Sequence, residues 1–200
     1  MMTPEIDELC KQYESGMLSS RELSAIAACL ISFPWKDEIV VEIGTYQGQS
    51  TVWLAKILAT AGYKPTILSI DGFTRCEAES DLNAQGDHEA RIKNIMSENL
   101  EHQCLAISGL SADAVRFVPY RIGVLIVDGC HHYEECSQDL WNYTVRVVDG
   151  GYVVIDDYLP KYYPGVVKAV DEFIAGSNSS RFSVIHKSTF VILEAKEKRV

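Results

Sequence analysis

Residues Ile122 to Tyr158 read IGVLIVDGCHHYEECSQDLWNYTVRVVDGGYVVIDDY. The stretch opens with an apolar run, Ile122 to Val127, and closes on another, Tyr152 to Ile155; Asp128 follows the first, Asp156 and Asp157 the second. Between them Tyr133, Cys136, Leu140, Thr144, Val147 and Val148 recur every three or four residues. Glu134, Glu135, Gln138, Asp139, Asn142 and Arg146 take the other face, so a helix is expected over Tyr133 to Val148. Asp149, Gly150 and Gly151 are expected to stop it. Strand, helix and strand in that order make a crossover with parallel strands, almost always right-handed.

Adjacent strands lie about 4.8 Å apart, and open α/β sheets bind ligands beyond the carboxyl ends of their strands. Asp128, Asp156 and Asp157 are therefore expected at one edge. Like charges so close repel unless a proton or cation sits among them. A hard divalent ion such as magnesium takes carboxylates and keeps positions for water or substrate. A lone acid at a strand end commonly caps a helix; three acids with His131 and His132 beside them point to a functional site.

The 200 residues are 47% apolar and 23% charged, which fits one ordinary globular domain that needs no staples. No apolar run approaches a membrane span and no secretory leader is recognisable, so the expectation is a cytoplasmic protein without a membrane partner. The six cysteines are scattered without a Cys-x-x-Cys pair, and free thiols are expected. A net charge of -10 disfavours nucleic acid as a partner and favours small molecules.

Outward from the central stretch, Thr3 to Gly16 and Ser19 to Ser32 read as helices, the second opened by a Ser19/Glu22 capping box. They form an N-terminal extension, residues 1–36, ahead of a main unit at 37–200, and are expected to cover a sheet edge or the mouth of a site. They could also pair two subunits as a homodimer. Ile39 to Ile43 is a strand that turns through Gly44 and Gly48 into a helix from about Ser50 to Ala61, so backbone N–H groups and a helix N-terminus can approach a ligand. Glu42 precedes that turn. Asp71, after the strand Thr66 to Ile70, lies near the spacing at which a carboxylate accepts hydrogen bonds from a ribose.

Gly72 to Gly86 is long and polar for a connection, a lid or substrate loop. A helix at Asp87 to Leu100 and a strand at Cys104 to Ile107 follow. Ser108 to Asp113 then starts another helix at the same sheet edge, where an adenine ring could rest or Ser111 simply cap the helix. Tyr158 to Pro164 is a stiff aromatic loop suited to walling a pocket. A helix at Gly165 to Ile174 and a hairpin of Phe182 to His186 with Phe190 to Glu194 complete the chain. The fold class is α/β: a doubly wound, Rossmann-like, mostly parallel seven-stranded sheet whose last strand is antiparallel.

From about Ile39 to Ala195 the chain resembles the class I S-adenosylmethionine-dependent methyltransferases, and within them the small-molecule O-methyltransferases of the catechol and the antibiotic and sugar-hydroxyl types. Val41-Glu-Ile-Gly-Thr-Tyr-Gln-Gly-Gln-Ser50 is similar to the first cofactor motif, with Tyr46 in place of the middle glycine, a departure the catechol type shares. The most specific likeness is Val127-Asp-Gly-Cys-His-His-Tyr133 with Gly150-Gly-Tyr-Val-Val-Ile-Asp-Asp-Tyr158. The resemblance implies cofactor contacts at Glu42, Gly44, Tyr46, Gly48, Ser50, Asp71, Gly72, Ser111, Ala112 and Asp128. It also implies divalent-metal ligands, Mg2+ or another ion, at Asp128, Asp156 and Asp157, and a general base at His131. The implied reaction is methyl transfer to a hydroxyl of a small, hydroxylated, catechol-like or sugar-diol substrate.

Two readings compete. A nicotinamide oxidoreductase shares the glycine turn and the ribose acid, but the chain lacks a Tyr-x-x-x-Lys pair and three acids suit hydride transfer poorly. A cofactor-binding protein that kept the fold and lost turnover is the other. Asp156-Asp-Tyr158 stands where nucleic-acid N-methyltransferases usually carry Asn/Asp-Pro-Pro-aromatic, which weighs against base methylation.

Overall fold

The computed structural model describes residues 2–14, 18–72, 84–176 and 180–196, with 84–86 described through their backbone only. Seven strands form one sheet: β1 (Ile39–Ile43), β2 (Ile67–Asp71), β3 (Cys104–Ser108), β4 (Ile122–Val127), β5 (Val147–Ile155), β6 (Phe182–Lys187) and β7 (Val191–Ala195). Their order is β3-β2-β1-β4-β5-β7-β6. The pairs from β3 to β5 are parallel, and β7 runs against both β5 and β6. This is the expected doubly wound sheet with its reversed strand. The order reverses between β1 and β4, where such a sheet opens a crevice beyond its strand ends.

Why the central strands are continuous apolar runs follows from the layers on either side. Ile39, Val41, Ile43, Leu125 and Val127 pack against α6 (Tyr133–Thr144), α7 (Pro164–Ala175) and the short α5 (Ser111–Ala114). Val40, Val124, Ile126 and Val154 point the other way, into α1 (Pro4–Gln12), α2 (Ser20–Ser32), α3 (Gln49–Thr60) and α4 (Ala84–Ser97). Successive side chains go to opposite faces, and both faces are covered.

The N-terminal helices are part of this second layer. Ile6, Cys10, Leu23 and Leu30 lie buried in one cluster with Val154, Phe190 and Ile192, so α1 and α2 cover a sheet face rather than an edge. The Ser19/Glu22 capping box forms as expected. Among the described residues no helix is long and apolar enough to cross a membrane.

The central helix is shorter than its periodicity suggests. It ends at Thr144, and Val147 already pairs with Ile122 as the first residue of β5. Arg181 donates from Nη1 to the Thr144 carbonyl (2.7 Å) and from Nη2 to the Val147 carbonyl, closing the helix end from outside. Asp149, Gly150 and Gly151 do not stop a helix; they lie in an irregular part of β5, where the pairing jumps from Ile122↔Val147 to Val124↔Tyr152. Gly151 is required there, since a Cβ would sit 2.8 Å from the Gly123 carbonyl.

Other differences are smaller. The helix expected from Asp87 starts at Ala84, while the lid reading of Gly72 to Gly86 falls mostly on residues 73–83, which lie outside the described residues. Leu110, not Ser111, occupies the cap position of α5. Cys130 is disulfide-bonded, against the expectation of free thiols; Cys10, Cys29, Cys104 and Cys136 are free and buried.

Candidate active site

The turn after β1 is built around glycine. Gly44 has φ +81°, and a Cβ there would lie 1.8 Å from the Asp128 carbonyl oxygen, so no side chain fits between the first turn and the end of β4. Tyr46, at φ 45°, takes a left-handed conformation without being glycine. The backbone N–H groups of Thr45 and Tyr46 both donate to Asp71 Oδ2 at 2.8 Å. Those two donors, expected to face a ligand, instead tie the first turn to the end of β2. Gly48, at φ +74°, opens α3.

Glu42 lies beneath this turn, 2% exposed, and accepts a 2.5 Å hydrogen bond from Thr51. Burial pushes its carboxyl up to about 7; hydrogen bonds from Ser50 and Thr51 oppose this, and Asp71 adds to it. At the end of β3, Tyr143 donates to the Ser111 carbonyl (2.7 Å), which anchors the start of α5 to α6. Asp139, also on α6, is buried, and its pKa rises to about 6 through burial, moderated by a hydrogen bond to Ser111. Ala112 is exposed beside it.

The strand ends next to this turn bring acids together. The Asp128 N–H donates to the Ile43 carbonyl (2.9 Å) and the Asp156 N–H to the Val127 carbonyl (3.0 Å), which extends the sheet by one residue on each strand. Asp128, His131 and Asp157 each offer a ligand atom, all within 4.8 Å of one another. Asp156 stands beside them, its Oδ1 accepting the Asp157 N–H at 2.8 Å. Asp128 is pushed well above the usual carboxylate range by burial first, then by Asp156 and Asp157. Asp156 is raised to about 7 by burial first; the hydrogen bond from the Asp157 N–H opposes this, and the Asp157 charge adds to it. Asp157 holds φ 55°, an unusual conformation for an L-residue.

His131 is fixed from three sides. Its Nε2 lies 2.8 Å from Asp157 Oδ2, its ring stacks on Tyr163 with centroids 4.0 Å apart, and α7 presses on its backbone through Gly165, where a Cβ would meet the His131 carbonyl at 2.6 Å. His132 is exposed and precedes α6. Cys130, His132 and Glu135 also cluster, but a sulfur already in a disulfide is no metal ligand. Tyr163 comes from the loop expected to wall a pocket, and here it positions the histidine.

Sequence reasoning missed Arg91 and Asp139. Arg91 is fully buried and reaches Thr45 Oγ1 (3.2 Å), the Ser69 carbonyl (3.3 Å) and Ser108 Oγ (2.9 Å). A charged residue spaced among the apolar positions of a helix was the one available signal. A separate cavity of about 520 Å3 lies at the opposite ends of the strands, lined by Phe33, Tyr120, Arg146 and Arg181 among others. The terminal nitrogens of both arginines there donate to carbonyl groups of Val118, Thr144 and Val147.

Residues 41–158, from the first turn through the acids after β5, match the model of a family described as a methyltransferase domain. The chain belongs to the methyltransferase-domain family. The oxidoreductase alternative loses its ground with that match, and the resemblance to class I S-adenosylmethionine-dependent methyltransferases holds in family and fold. An uncharacterized protein of Acanthamoeba polyphaga mimivirus is 30% identical over 156 residues, covering 74% of this chain and 65% of its own length. The chain thus spans about two-thirds of that relative. The O-methyltransferase NovP shares the fold with TM-score 0.72 at 22% identity, over 90% of this chain and 81% of its own. MycE methyltransferase from the mycinamycin pathway, solved with Mg, S-adenosylhomocysteine and mycinamycin VI, has TM-score 0.63 at 16% identity, over 99% of this chain and 57% of its own.

Proposed function

We propose that this methyltransferase is an S-adenosylmethionine-dependent, divalent-metal-assisted O-methyltransferase that acts on a hydroxyl of a small molecule, a catechol-like ring or a sugar diol. The observation that carries the reading is the convergence of Asp128, His131 and Asp157 at the ends of β4 and β5, directly against the Gly44 turn. NovP and MycE, by their names and contents, support the same chemistry.

The donor set fits a hard divalent ion. Oxygen atoms dominate, the carboxyls are crowded and desolvated, and a cation would relieve the repulsion that raises Asp128 and Asp156. Asp128 and Asp157 would hold it, with Asp156, the third acid the resemblance implies, next to them and His131 at its side. When bound, the ion supplies Lewis acidity that lowers the pKa of a coordinated hydroxyl. S-adenosylmethionine, when bound, would supply an activated sulfonium methyl for the acceptor oxygen, with S-adenosylhomocysteine as the leaving product.

The chain's own residues then align and deprotonate. Gly44, Tyr46, Gly48, Ser50, Asp71 and Gly72 would border the cofactor crevice, with Glu42 buried beneath the first turn as its support and Ser111 and Ala112 toward the adenine end. His131 accepts the hydroxyl proton, and the Asp157 carboxylate steadies the imidazolium that results. Tyr163, stacked on the ring, keeps the imidazole in one orientation. Net charge -10 keeps polyanions away and agrees with a small-molecule acceptor in a soluble compartment such as the cytoplasm. The test is methyl transfer from labelled S-adenosylmethionine to a panel of catechols and sugar diols, with and without chelator. Transfer that needs the free metal supports the reading; a panel left unmethylated while a nucleic acid is labelled overturns it.

A further inference from the structure

Among the described residues Arg91 is the largest fully buried charged side chain, on a helix that carries none of the motif residues. Its guanidinium reaches three separate segments. Nη1 donates to Thr45 Oγ1 in the first turn (3.2 Å), to the Ser69 carbonyl on β2 (3.3 Å) and to the Ile107 carbonyl on β3 (3.4 Å). Nη2 donates to Ser108 Oγ at the end of β3 (2.9 Å). The aliphatic stem packs under Gly48, where a Cβ would meet Arg91 Cγ at 2.8 Å.

These segments are the first turn and the ends of β2 and β3, the strand ends at which the cofactor crevice is proposed. The first turn is tied to Asp71 at the end of β2 by the Thr45 and Tyr46 N–H groups, and Ser108 opens the turn that leads to Ser111 and Ala112. Asp71 and Glu42 are the charges that favour the cation most, against the burial that opposes it. A planar fork with several donors in fixed directions bridges such acceptors; an ammonium, a point charge on a flexible stem, does not.

We infer that Arg91 is a positioning residue for S-adenosylmethionine, joining the first turn, the end of β2 and the end of β3 into one preformed crevice. The inference rests on the crevice being the cofactor site, as proposed above. Preformed geometry lowers the ordering cost of binding, so its loss weakens the complex more than the chemical step.

The test measures S-adenosylhomocysteine binding by calorimetry, thermal unfolding, and kcat at saturating S-adenosylmethionine for wild type, Arg91→Lys, Arg91→Met and Ser108→Ala. Arg91→Lys, at a temperature where it is fully folded, is expected to bind about tenfold or more weakly, with kcat within about threefold of wild type. Arg91→Lys should recover unfolding temperature relative to Arg91→Met more fully than it recovers affinity, which a purely structural role would not produce. Ser108→Ala, on the rim, should weaken binding by a smaller factor in the same direction. Folded Arg91→Lys and Ser108→Ala proteins with wild-type affinity would overturn the inference, and they decide the matter if Arg91→Met fails to fold. Wild type that binds neither nucleoside would instead overturn the cofactor reading itself.

Discussion

His131 Nε2 lies 2.8 Å from Asp157 Oδ2, linking the loop after β4 to the end of β5. The contact spans two strand ends that only the parallel β4–β5 pairing brings together. It gives the histidine a partner for the charge it would acquire as a base.

His131→Ala should therefore lower kcat by about 10²–10⁴-fold, the usual share of a general base, while S-adenosylhomocysteine affinity stays near wild type. Asp157→Asn should lower kcat less. A wild-type rate for His131→Ala would remove it from the reaction.

Burial raises Glu42 from an ordinary 4.5 to about 7, so the folded state binds its proton more tightly than the unfolded chain. The stability this contributes is complete below about pH 4.5 and is lost as pH rises through about 7. Glu42→Gln, isosteric and uncharged, should remove this pH dependence, on the order of 2–3 kcal/mol across that window. Urea melts at pH 5 and pH 8 check it; equal slopes with pH in both proteins would contradict it.

Burial and crowding of Asp128 and Asp156 also oppose folding once those two ionise, and a divalent ion should reverse that. Thermal unfolding of the metal-free protein above neutral pH is expected to shift upward with added Mg2+, by about 2.7 kcal/mol at a hundredfold excess over Kd. Asp128→Asn should be more stable than wild type without metal and show little response to it. Melting scans with and without chelator read both effects.

Gly44 and Gly165 separate two kinds of tight contact. Gly44→Ala forces a side chain into the Asp128 backbone at a left-handed φ and should destabilise by on the order of 3 kcal/mol or more. Gly165→Ala presses on the His131 backbone, so it should lose kcat with cofactor affinity largely kept. Chemical denaturation and cofactor titration of both variants distinguish the two outcomes.

Much of this architecture could be read from local pattern. Buried strands such as Val40-Val41 and Val124-Leu125-Ile126 are apolar without interruption because both faces are covered, and a run of that kind needs no tertiary knowledge. The acids were visible because they stand where those runs stop. The end of α6 differs from its periodicity because Val147 and Val148 continue a helical stripe, while the carbonyls of Thr144 and Val147 are taken up by Arg181, more than thirty residues on. Arg91 meets Thr45 across 46 residues, and Asp139 meets Ser111 from another helix; spacing can place such a residue on a buried face but does not name its partner. The grip of Tyr163 and Gly165 on His131 is equally a product of folding, since α7 reaches the loop only in three dimensions.

The most direct measurement is calorimetric titration of Mg2+ and of Mn2+ into S-adenosylhomocysteine-saturated protein, wild type beside Asp128→Asn and Asp157→Asn. A single saturable ion site in wild type, weakened at least tenfold by either substitution, is the predicted result. Saturable binding in neither titration, or affinity untouched by both substitutions, would contradict a metal centre built from the ends of β4 and β5.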